Sequence, residues 1–224
     1  MKTSVILLSG GKGLRMGGSV PKQYLKLHGI EVALYSFRLF ESMPRVEEII
    51  VVAEPEYQYL FASERKPVKY ALPGARRQDS LKQGMELLSS DAELICVHDA
   101  ARPLVTFDEV SRVLEAGEKF GAAALGVPVK ATLKKVQNGL IACTVDRSDI
   151  WEIQTPQVVK RTWLEEGMAH ATAQQLNVTD DVGLAELLGR QVKAVEGSSC
   201  NLKVTTPEDL KMASALIKTG AYAL

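Results

Sequence analysis

Hydrophobic positions along the chain alternate between short apolar runs and longer stretches with helical spacing. Four short apolar runs predict strands at 4–8, 46–53, 93–98 and 122–127, and the second of them is rich in β-branched residues. Short, mostly apolar runs of this kind are typical of strands that are covered on both faces, as in a parallel sheet. The spacing between the runs leaves room for a helix after most strands.

Helix-spaced apolar residues lie between and after these runs. Thr106, followed by Glu109 three residues later, forms a capping box that starts one helix, and Thr206-Pro207 starts the last one. Strand and helix alternation of this kind predicts a three-layer α/β domain with a mostly parallel sheet. The predicted apolar stripes are Leu81, Met85 and Leu88; Phe107, Val110 and Leu114; and Leu210, Ala213 and Ile217.

One region, at about 128–155, departs from this alternation. It contains two β-rich runs separated by Asn138-Gly139, which is a strong signal for a β-hairpin. Two interpretations are open: an arm that packs on another subunit, or a small antiparallel extension of the main sheet. We predict a single domain over 1–224 that carries this hairpin arm.

Composition narrows the class of protein. The 224 residues are 46% hydrophobic and 24% charged, which indicates a globular chain, and the net charge of zero argues against binding nucleic acid polymers or membranes by bulk charge. The sequence contains no run of eighteen apolar residues, so it predicts no membrane-spanning helix. Cys96, Cys143 and Cys200 are too dispersed for a metal framework and are predicted to be buried small hydrophobes. Sparse cysteines favour a reducing, cytoplasmic location.

The charges are unevenly distributed, because the first 30 residues contain five Lys and Arg residues and no acidic residue. This segment includes a glycine-rich loop at 9–17 directly after the first predicted strand. The loop fails the P-loop pattern twice, and the third glycine of a dinucleotide fingerprint falls on Met16. A basic glycine loop is nevertheless suited to a nucleoside triphosphate, with Arg15 and Lys22 as the functional cations.

Motifs throughout the chain resemble the 2-C-methyl-D-erythritol 4-phosphate cytidylyltransferase family, whose fold is a Rossmann-like nucleotidyltransferase fold. They include the glycine loop with Pro21-Lys22-Gln23, and the six residues from His98 to Pro103. Further matches are Gly74 with Arg77 and Asp79-Ser80, Asp146-Arg147 before Trp151, Thr155-Pro156-Gln157, Thr179-Asp180, Lys203-Val204-Thr205, and 207–210.

The resemblance implies that CMP is transferred from CTP to a sugar-alcohol phosphate in the non-mevalonate isoprenoid pathway. Arg15 and Lys22 are expected to stabilise the transition state, and Arg147 and Lys203 to position the acceptor phosphate. Mg²⁺ is the expected cofactor, and Asp99, at the end of a strand, is its expected ligand. His98 is interpreted as a structural neighbour of Asp99 and not as a general base.

The resemblance also assigns binding residues. Nucleotide contacts are expected at Gly10, Gly11, Gly13, Gly74, Ser80 and Asp99, and acceptor contacts at Arg102, Thr132, Thr155 and Thr179. Asp79, Ser80 and Thr179 could instead cap helices. The segment Ala75-Arg76-Arg77-Gln78 departs from relatives, which often carry another glycine or an acidic residue there. This departure leaves the details of base recognition open.

Thr132 and Arg147 lie on the predicted arm, so an arm that crosses to a second copy would make the enzyme a homodimer with shared active sites. Two alternatives to this function remain at the level of sequence. One is a ribitol-5-phosphate cytidylyltransferase, and the other is a catalytically silent nucleotide-binding protein on the same fold.

Overall fold

The computed structural model of the protein describes residues 1–11 and 20–220. Within these residues, a seven-stranded sheet forms the centre of the fold and two small two-stranded sheets flank it. In chain order the strands are β1 (Thr3–Leu8), β2 (Lys26–Leu27), β3 (Ile30–Glu31), β4 (Val46–Val52), β5 (Val68–Ala71), β6 (Leu94–Asp99), β7 (Ala122–Pro128), β8 (Leu133–Gln137), β9 (Leu140–Val145), β10 (Trp151–Lys160) and β11 (Lys193–Glu196).

The central sheet has the order β11-β7-β10-β6-β1-β4-β5. Its pairs are parallel except around β10, which runs antiparallel to both β6 and β7. The four strands predicted from apolar runs are all present. The hydrophobic pattern of the sequence gave no indication of β5, β10 or β11. Strand β10 alone makes the sheet a mixture of parallel and antiparallel pairs.

Helices cover both faces of this sheet. They are α1 (Val32–Ser42), α2 (Pro55–Gln58), α3 (Arg77–Met85), α4 (Phe107–Phe120), α5 (Arg161–Ala173), α6 (Gly183–Glu186) and α7 (Pro207–Lys218), with short 3₁₀ turns at Lys22–Tyr24 and Tyr59–Phe61. Side chains alternate along β1: Val5 and Leu7 join α1 and α4 in one apolar cluster, and Ile6 joins α3 and α5 in another. The predicted three-layer α/β fold is confirmed.

The start of α4 follows the sequence closely. The Thr106 hydroxyl accepts a hydrogen bond from the Glu109 amide, and the Glu109 carboxylate accepts one from the Thr106 amide, which completes the predicted capping box. Val110 and Leu114 are fully buried, but Phe107 is 50% exposed and does not belong to the buried stripe. Phe107 lies in the first turn of α4, at the edge of the core.

The hairpin forms its own two-stranded sheet from β8 and β9, so the alternative of an extension of the central sheet is wrong. Asn138 and Gly139 both have positive φ, as the tight turn between the strands requires. The segment 128–155 also contains strand ends of the central sheet, because β7 ends at Pro128 and β10 begins at Trp151. Cys96 is buried as predicted, but Cys143 lies exposed on the hairpin and Cys200 is only half-buried.

Candidate active site

A cleft of about 750 Å³ opens at the carboxyl ends of β1, β5 and β6. This is the edge where ligands bind in open α/β sheets, and the volume is within the usual range for small-molecule sites. Four cations line it beside two carboxylates among the described residues: Lys22, Arg76, Arg77 and Lys203, against Glu54 and Asp99. Arg76 and Arg77 are paired with Asp79 and Asp181 behind this lining, so the cations that the cleft surface presents, rather than a net positive charge, favour a polyanionic ligand.

The turn that carries Lys22 is fastened to the beginning of the glycine loop. The Gln23 amide donates to the carbonyl oxygens of Ser9 and Gly11 at 2.7 and 2.9 Å, and the Tyr24 hydroxyl donates to the Ser9 carbonyl at 2.8 Å. Tyr24 also stacks on Tyr57, with 3.8 Å between the ring centroids. These contacts hold Lys22, which is 8% exposed, at the cleft wall.

Two of the predicted glycines are required because neighbouring groups approach closely. A Cβ at Gly10 would lie 2.2 Å from the Pro73 side chain, and one at Gly74 would lie 2.4 Å from the Asp79 side chain. A Cβ at Gly11, in contrast, would have no atom of the described residues within 4 Å. Gly10 and Gly74 therefore bring the two loops of the cleft together, which gives a packing reason for both glycines besides the predicted contact with a base.

Ser80 lies inside α3 and does not cap it. Its hydroxyl accepts from the Gly74 amide at 3.0 Å and donates to the Arg76 carbonyl at 3.2 Å. Asp79 caps the helix start instead, because its carboxylate accepts a hydrogen bond from the Arg76 backbone amide at 3.1 Å. The Ser80 hydroxyl thus shapes the Gly74 loop at the cleft, and the capping alternative for Ser80 is wrong.

Asp99 is the buried acid of the cleft. Its Oδ1 accepts from Arg77 Nε at 3.1 Å and its Oδ2 accepts from Lys203 Nζ at 2.6 Å. Burial by itself raises the pKa of this carboxyl, but Arg77 and Lys203 outweigh burial and hold the pKa well below its ordinary value. Asp99 is therefore ionised and faces the cleft between two cations.

His98 is fully buried behind Asp99, and the structure defines its tautomer. Its Nε2 lies 3.1 Å from the Arg102 carbonyl, which can only accept, so Nε2 carries the proton and Nδ1 accepts from the Thr155 hydroxyl at 3.1 Å. The Thr155 oxygen in turn accepts from the Asp99 amide. Burial lowers the pKa of His98 to about 4. The neutral ring supports the Asp99 backbone, as its interpretation as a structural neighbour predicts.

Arg102 is predicted to contact the acceptor, and it lies buried beneath the cleft. Its guanidinium donates to the Asn201 carbonyl at 2.7 Å, and the Asn201 amide donates to the Thr155 carbonyl at 2.9 Å. The Val204 amide donates to the Ala101 carbonyl. Through these bonds, the loop after β11 is fixed beside β6 and carries Lys203 to Asp99.

The other predicted acceptor residues lie outside the cleft wall. Thr132 and Arg147 are exposed on the hairpin, where Arg147 Nη1 donates to the Lys130 carbonyl. Thr179 is exposed in the loop before α6, and Val182 occupies the capping position, so the capping alternative for Thr179 is wrong. Gly13 and Arg15 lie outside the described residues. The structure thus brings together Lys22, Lys203, Gly10, Gly11, Gly74, Ser80 and Asp99.

Sequence reasoning assigned no role to several residues that build the site. Gln23 and Arg77 were part of recognised motifs, but nothing in the motif indicates that Gln23 anchors a loop or that Arg77 reaches Asp99. Asp181 and Asn201 gave no signal at all. Both are fully buried polar residues, and burial of this kind is visible only after folding.

The cleft is suited to a divalent cation that also binds substrate phosphates. Mg²⁺ usually binds one or two carboxylates together with phosphate oxygens, and Asp99 supplies an ionised carboxylate at the cleft. The described residues contain no cluster of three or more His, Cys, Asp or Glu side chains that could hold a metal alone. The donor set therefore fits a metal that arrives with a nucleotide, on a fold and site of the nucleotidyltransferase class.

Comparisons with known proteins agree with this class. The profile of the IspD family, 2-C-methyl-D-erythritol 4-phosphate cytidylyltransferase, matches residues 3–219. The chain is 48% identical to the chloroplastic enzyme of that name from Oryza sativa, over 96% of this chain and 74% of the relative. It is 42% identical to the Chlamydia pneumoniae enzyme, over 97% of this chain and 100% of the relative.

Solved structures give the same result. The enzyme from Thermus thermophilus superposes with a TM-score of 0.81 at 31% identity, covering 97% of this chain and 100% of that chain. The 4-diphosphocytidyl-2C-methyl-D-erythritol synthase from Anaerococcus prevotii gives 0.85 at 25% identity, covering 96% and 98%. The chain belongs to the 2-C-methyl-D-erythritol 4-phosphate cytidylyltransferase family and is a cytidylyltransferase.

In the part of the chain that the structure describes, none of the helices combines the length and the apolar character needed to cross a bilayer.

Proposed function

We propose that this enzyme transfers CMP from CTP to 2-C-methyl-D-erythritol 4-phosphate, giving 4-CDP-2-C-methyl-D-erythritol and pyrophosphate in the non-mevalonate isoprenoid pathway. The observation that carries this proposal is the family match over residues 3–219 together with Lys22, Asp99 and Lys203 in one cleft. The relatives named above all carry the methylerythritol name. This favours methylerythritol phosphate over ribitol 5-phosphate as the acceptor.

In the proposed reaction, an oxygen of the acceptor phosphate attacks the α-phosphorus of CTP. The bond from that phosphorus to the bridging oxygen breaks, and pyrophosphate leaves with the electron pair. No side-chain nucleophile or base is needed, because the acceptor phosphate is already ionised at neutral pH. The enzyme must instead overcome the repulsion between two anions and stabilise the charge that grows in the transition state.

Cations of the glycine-loop segment and of the Lys203 segment supply this stabilisation. Lys22, at the cleft wall beside the glycine loop, is assigned to the triphosphate, together with Arg15. Lys203 is assigned to the acceptor phosphate. When bound, this phosphate competes with Asp99 for the ammonium group of Lys203. Asp99 would hold Mg²⁺, which when bound supplies positive charge to the phosphate oxygens of the nucleotide.

We assign the base to the backbone around Gly10, Gly11, Gly13 and Gly74 and to Ser80. The Ser80 hydroxyl accepts a hydrogen bond from the Gly74 amide and so holds the Gly74 loop in place. In the proposed site, cytosine contacts both this hydroxyl and the backbone of that loop. Arg102 and Thr155 contribute to the acceptor site from below, since both make hydrogen bonds that fix the loops around Asp99. We also assign Thr179, which lies in the loop that contains Asp181, to the acceptor site.

We also propose a homodimer formed through the hairpin. Its side chains Val136, Leu140 and Ile141 are 56%, 75% and 68% exposed, which is unusual for apolar residues of a paired sheet. Thr132 and Arg147 lie at the ends of the same hairpin and are not among the described residues that line the cleft of their own chain. A partner chain would bring them to its acceptor site. The location of the enzyme in the cytoplasm remains a prediction from its cysteine usage.

The decisive experiment incubates the purified protein with Mg²⁺, CTP and either 2-C-methyl-D-erythritol 4-phosphate or ribitol 5-phosphate, and measures pyrophosphate release. We expect turnover with the methylerythritol acceptor. Turnover with ribitol 5-phosphate alone would contradict the proposed substrate. Tight CTP binding without turnover of either acceptor would favour a silent nucleotide-binding protein.

A further inference from the structure

Four alternating charges form a continuous network at the floor of the cleft. Asp181 lies at one end and accepts two hydrogen bonds from Arg77, at 2.6 Å from Nη1 and 2.7 Å from Nη2. Arg77 Nε reaches Asp99 Oδ1, and Lys203 occupies the other oxygen of Asp99. The formal charges of the four groups sum to zero. Each oxygen of Asp99 therefore has one cationic donor.

Asp181 lies outside the cleft lining, and hydrogen bonds to the central sheet hold it in position. The carboxylate is fully buried, and the backbone amides of Asp181 and Val182 both donate to the Gln157 side-chain oxygen, at 2.7 and 3.0 Å. Gln157 belongs to β10, next to β6, which ends at Asp99. The central sheet thus holds Asp181 in register with Asp99, and Arg77 bridges the two acids.

The geometry divides the guanidinium of Arg77 between two carboxylates. Because Asp181 takes both Nη groups in a bidentate contact, only Nε remains for Asp99. Without the charge of Asp181, the guanidinium would be free to turn its full fork onto Asp99. The site would also carry a net charge of +1, which opposes the approach of a divalent cation.

We propose that Asp181 is a positioning residue that acts through Arg77 to keep the Asp99 carboxylate available and oriented for Mg²⁺. This inference rests on the proposed function, since it concerns the metal that accompanies the nucleotide. Asp181 restrains Arg77, Arg77 orients Asp99, and Asp99 meets the cation. Supporting groups of this kind often change metal affinity or activity by roughly 10- to 100-fold when they are replaced.

The test substitutes Asp181→Asn, which keeps the shape of the side chain and removes its charge. We expect the Mg²⁺ concentration for half-maximal activity to rise by at least about tenfold. Binding of Mn²⁺ to the complex of protein and CTP, followed by electron paramagnetic resonance, should weaken by a similar factor. Binding of CTP in the presence of EDTA should change much less, because Asp181 does not line the cleft.

Two further variants separate the proposed role from loss of stability. Glu48→Gln removes another buried carboxylate from its lysine partner, Lys69, near the amino end of β4, and should leave both metal readouts at the parent values. Arg77→Gln combined with Asp181→Asn restores the charge balance, because both members of the pair become neutral. The metal affinity of the double variant should lie between those of the parent and of Asp181→Asn. Its charge is balanced again, but Asp99 has lost the hydrogen bond from Arg77 Nε.

Parent-like Mg²⁺ and Mn²⁺ curves for a folded Asp181→Asn variant would overturn the proposal. A double variant no better than Asp181→Asn would overturn the role of charge balance. If Asp181→Asn does not fold, the double variant must still require more metal than the parent, and a parent-like curve would overturn the inference. A parent protein that binds Mn²⁺ and CTP but turns over neither acceptor would refute only the proposed function, since the Mn²⁺ measurement needs no acceptor.

Discussion

At the scale of single residues, Lys22 shows how a loop motif becomes a site. The lysine begins a 3₁₀ turn after Pro21, and the next two residues fix that turn to Ser9 and Gly11. The cation is thus held near the glycine loop by neighbours that do not themselves need to touch substrate. Preorganised charge of this kind contributes to catalysis because it needs no rearrangement during the reaction.

We predict that Lys22→Ala lowers kcat by roughly 100-fold or more while weakening CTP binding less, because the lysine acts mainly on charge that develops in the transition state. Steady-state kinetics together with calorimetric titration of CTP would measure both effects. Lys26→Ala, at an exposed position on the same segment, serves as the control and should retain parent kinetics. Parent-like turnover by Lys22→Ala would show that its assigned role is wrong.

At the scale of elements, His98 and Thr155 join β6 to β10 directly behind Asp99. The ring is neutral in the folded protein, because burial lowers its pKa from 6.5 to about 4. The unfolded chain therefore binds a proton between these two pH values and the folded chain does not. Stability from this group is complete above pH 6.5 and is lost as the pH falls towards 4.

We predict that the free energy of unfolding falls by about 3 kcal/mol between pH 6.5 and pH 4 because of His98. Urea unfolding across this interval measures the change. His98→Gln should be less stable at neutral pH and should lose most of this pH dependence. An unchanged slope in His98→Gln would exclude His98 as its source.

At the scale of the whole molecule, the hairpin is largely uncovered by the rest of the described chain. Its two strands pair with each other, and most of their side chains are exposed. A two-stranded sheet is only marginally stable without further packing. In the proposed dimer, a second copy of the chain covers these apolar residues and brings Thr132 and Arg147 to its partner's cleft.

We predict that Ile141→Glu converts the proposed dimer to a monomer and lowers kcat/KM by at least about tenfold, because a charge in the interface is costly to bury. Light scattering after size-exclusion chromatography would report the mass of the particle. Met212→Glu, at a similarly exposed apolar residue on α7, should remain dimeric and active. A parent protein that is monomeric and active would refute the shared active site.

Much of the fold could be predicted from local sequence signals. The strands β1, β4, β6 and β7 were visible because their residues are apolar on both faces, and α4 and α7 were visible because their caps are encoded within four residues. The strand β10 was missed because it carries Glu152, Gln154 and Gln157 among its apolar residues. Its place in the sheet depends on pairing with distant strands.

The sequence by itself determined the class of protein, the order of the main elements, and the residues of the glycine loop, the Asp99 segment and the Lys203 segment. The order of the elements is encoded locally, because spacing, capping and turn chemistry act between residues that are close in the chain. The class of protein and the Asp99 and Lys203 segments were indicated by the resemblance of their motifs to a known family. Only the tertiary structure decided that the Arg77 guanidinium donates hydrogen bonds to both Asp99 and Asp181, and that His98 is neutral. Those properties arise from burial and from contacts across 22 to 104 residues of chain, which local patterns do not encode.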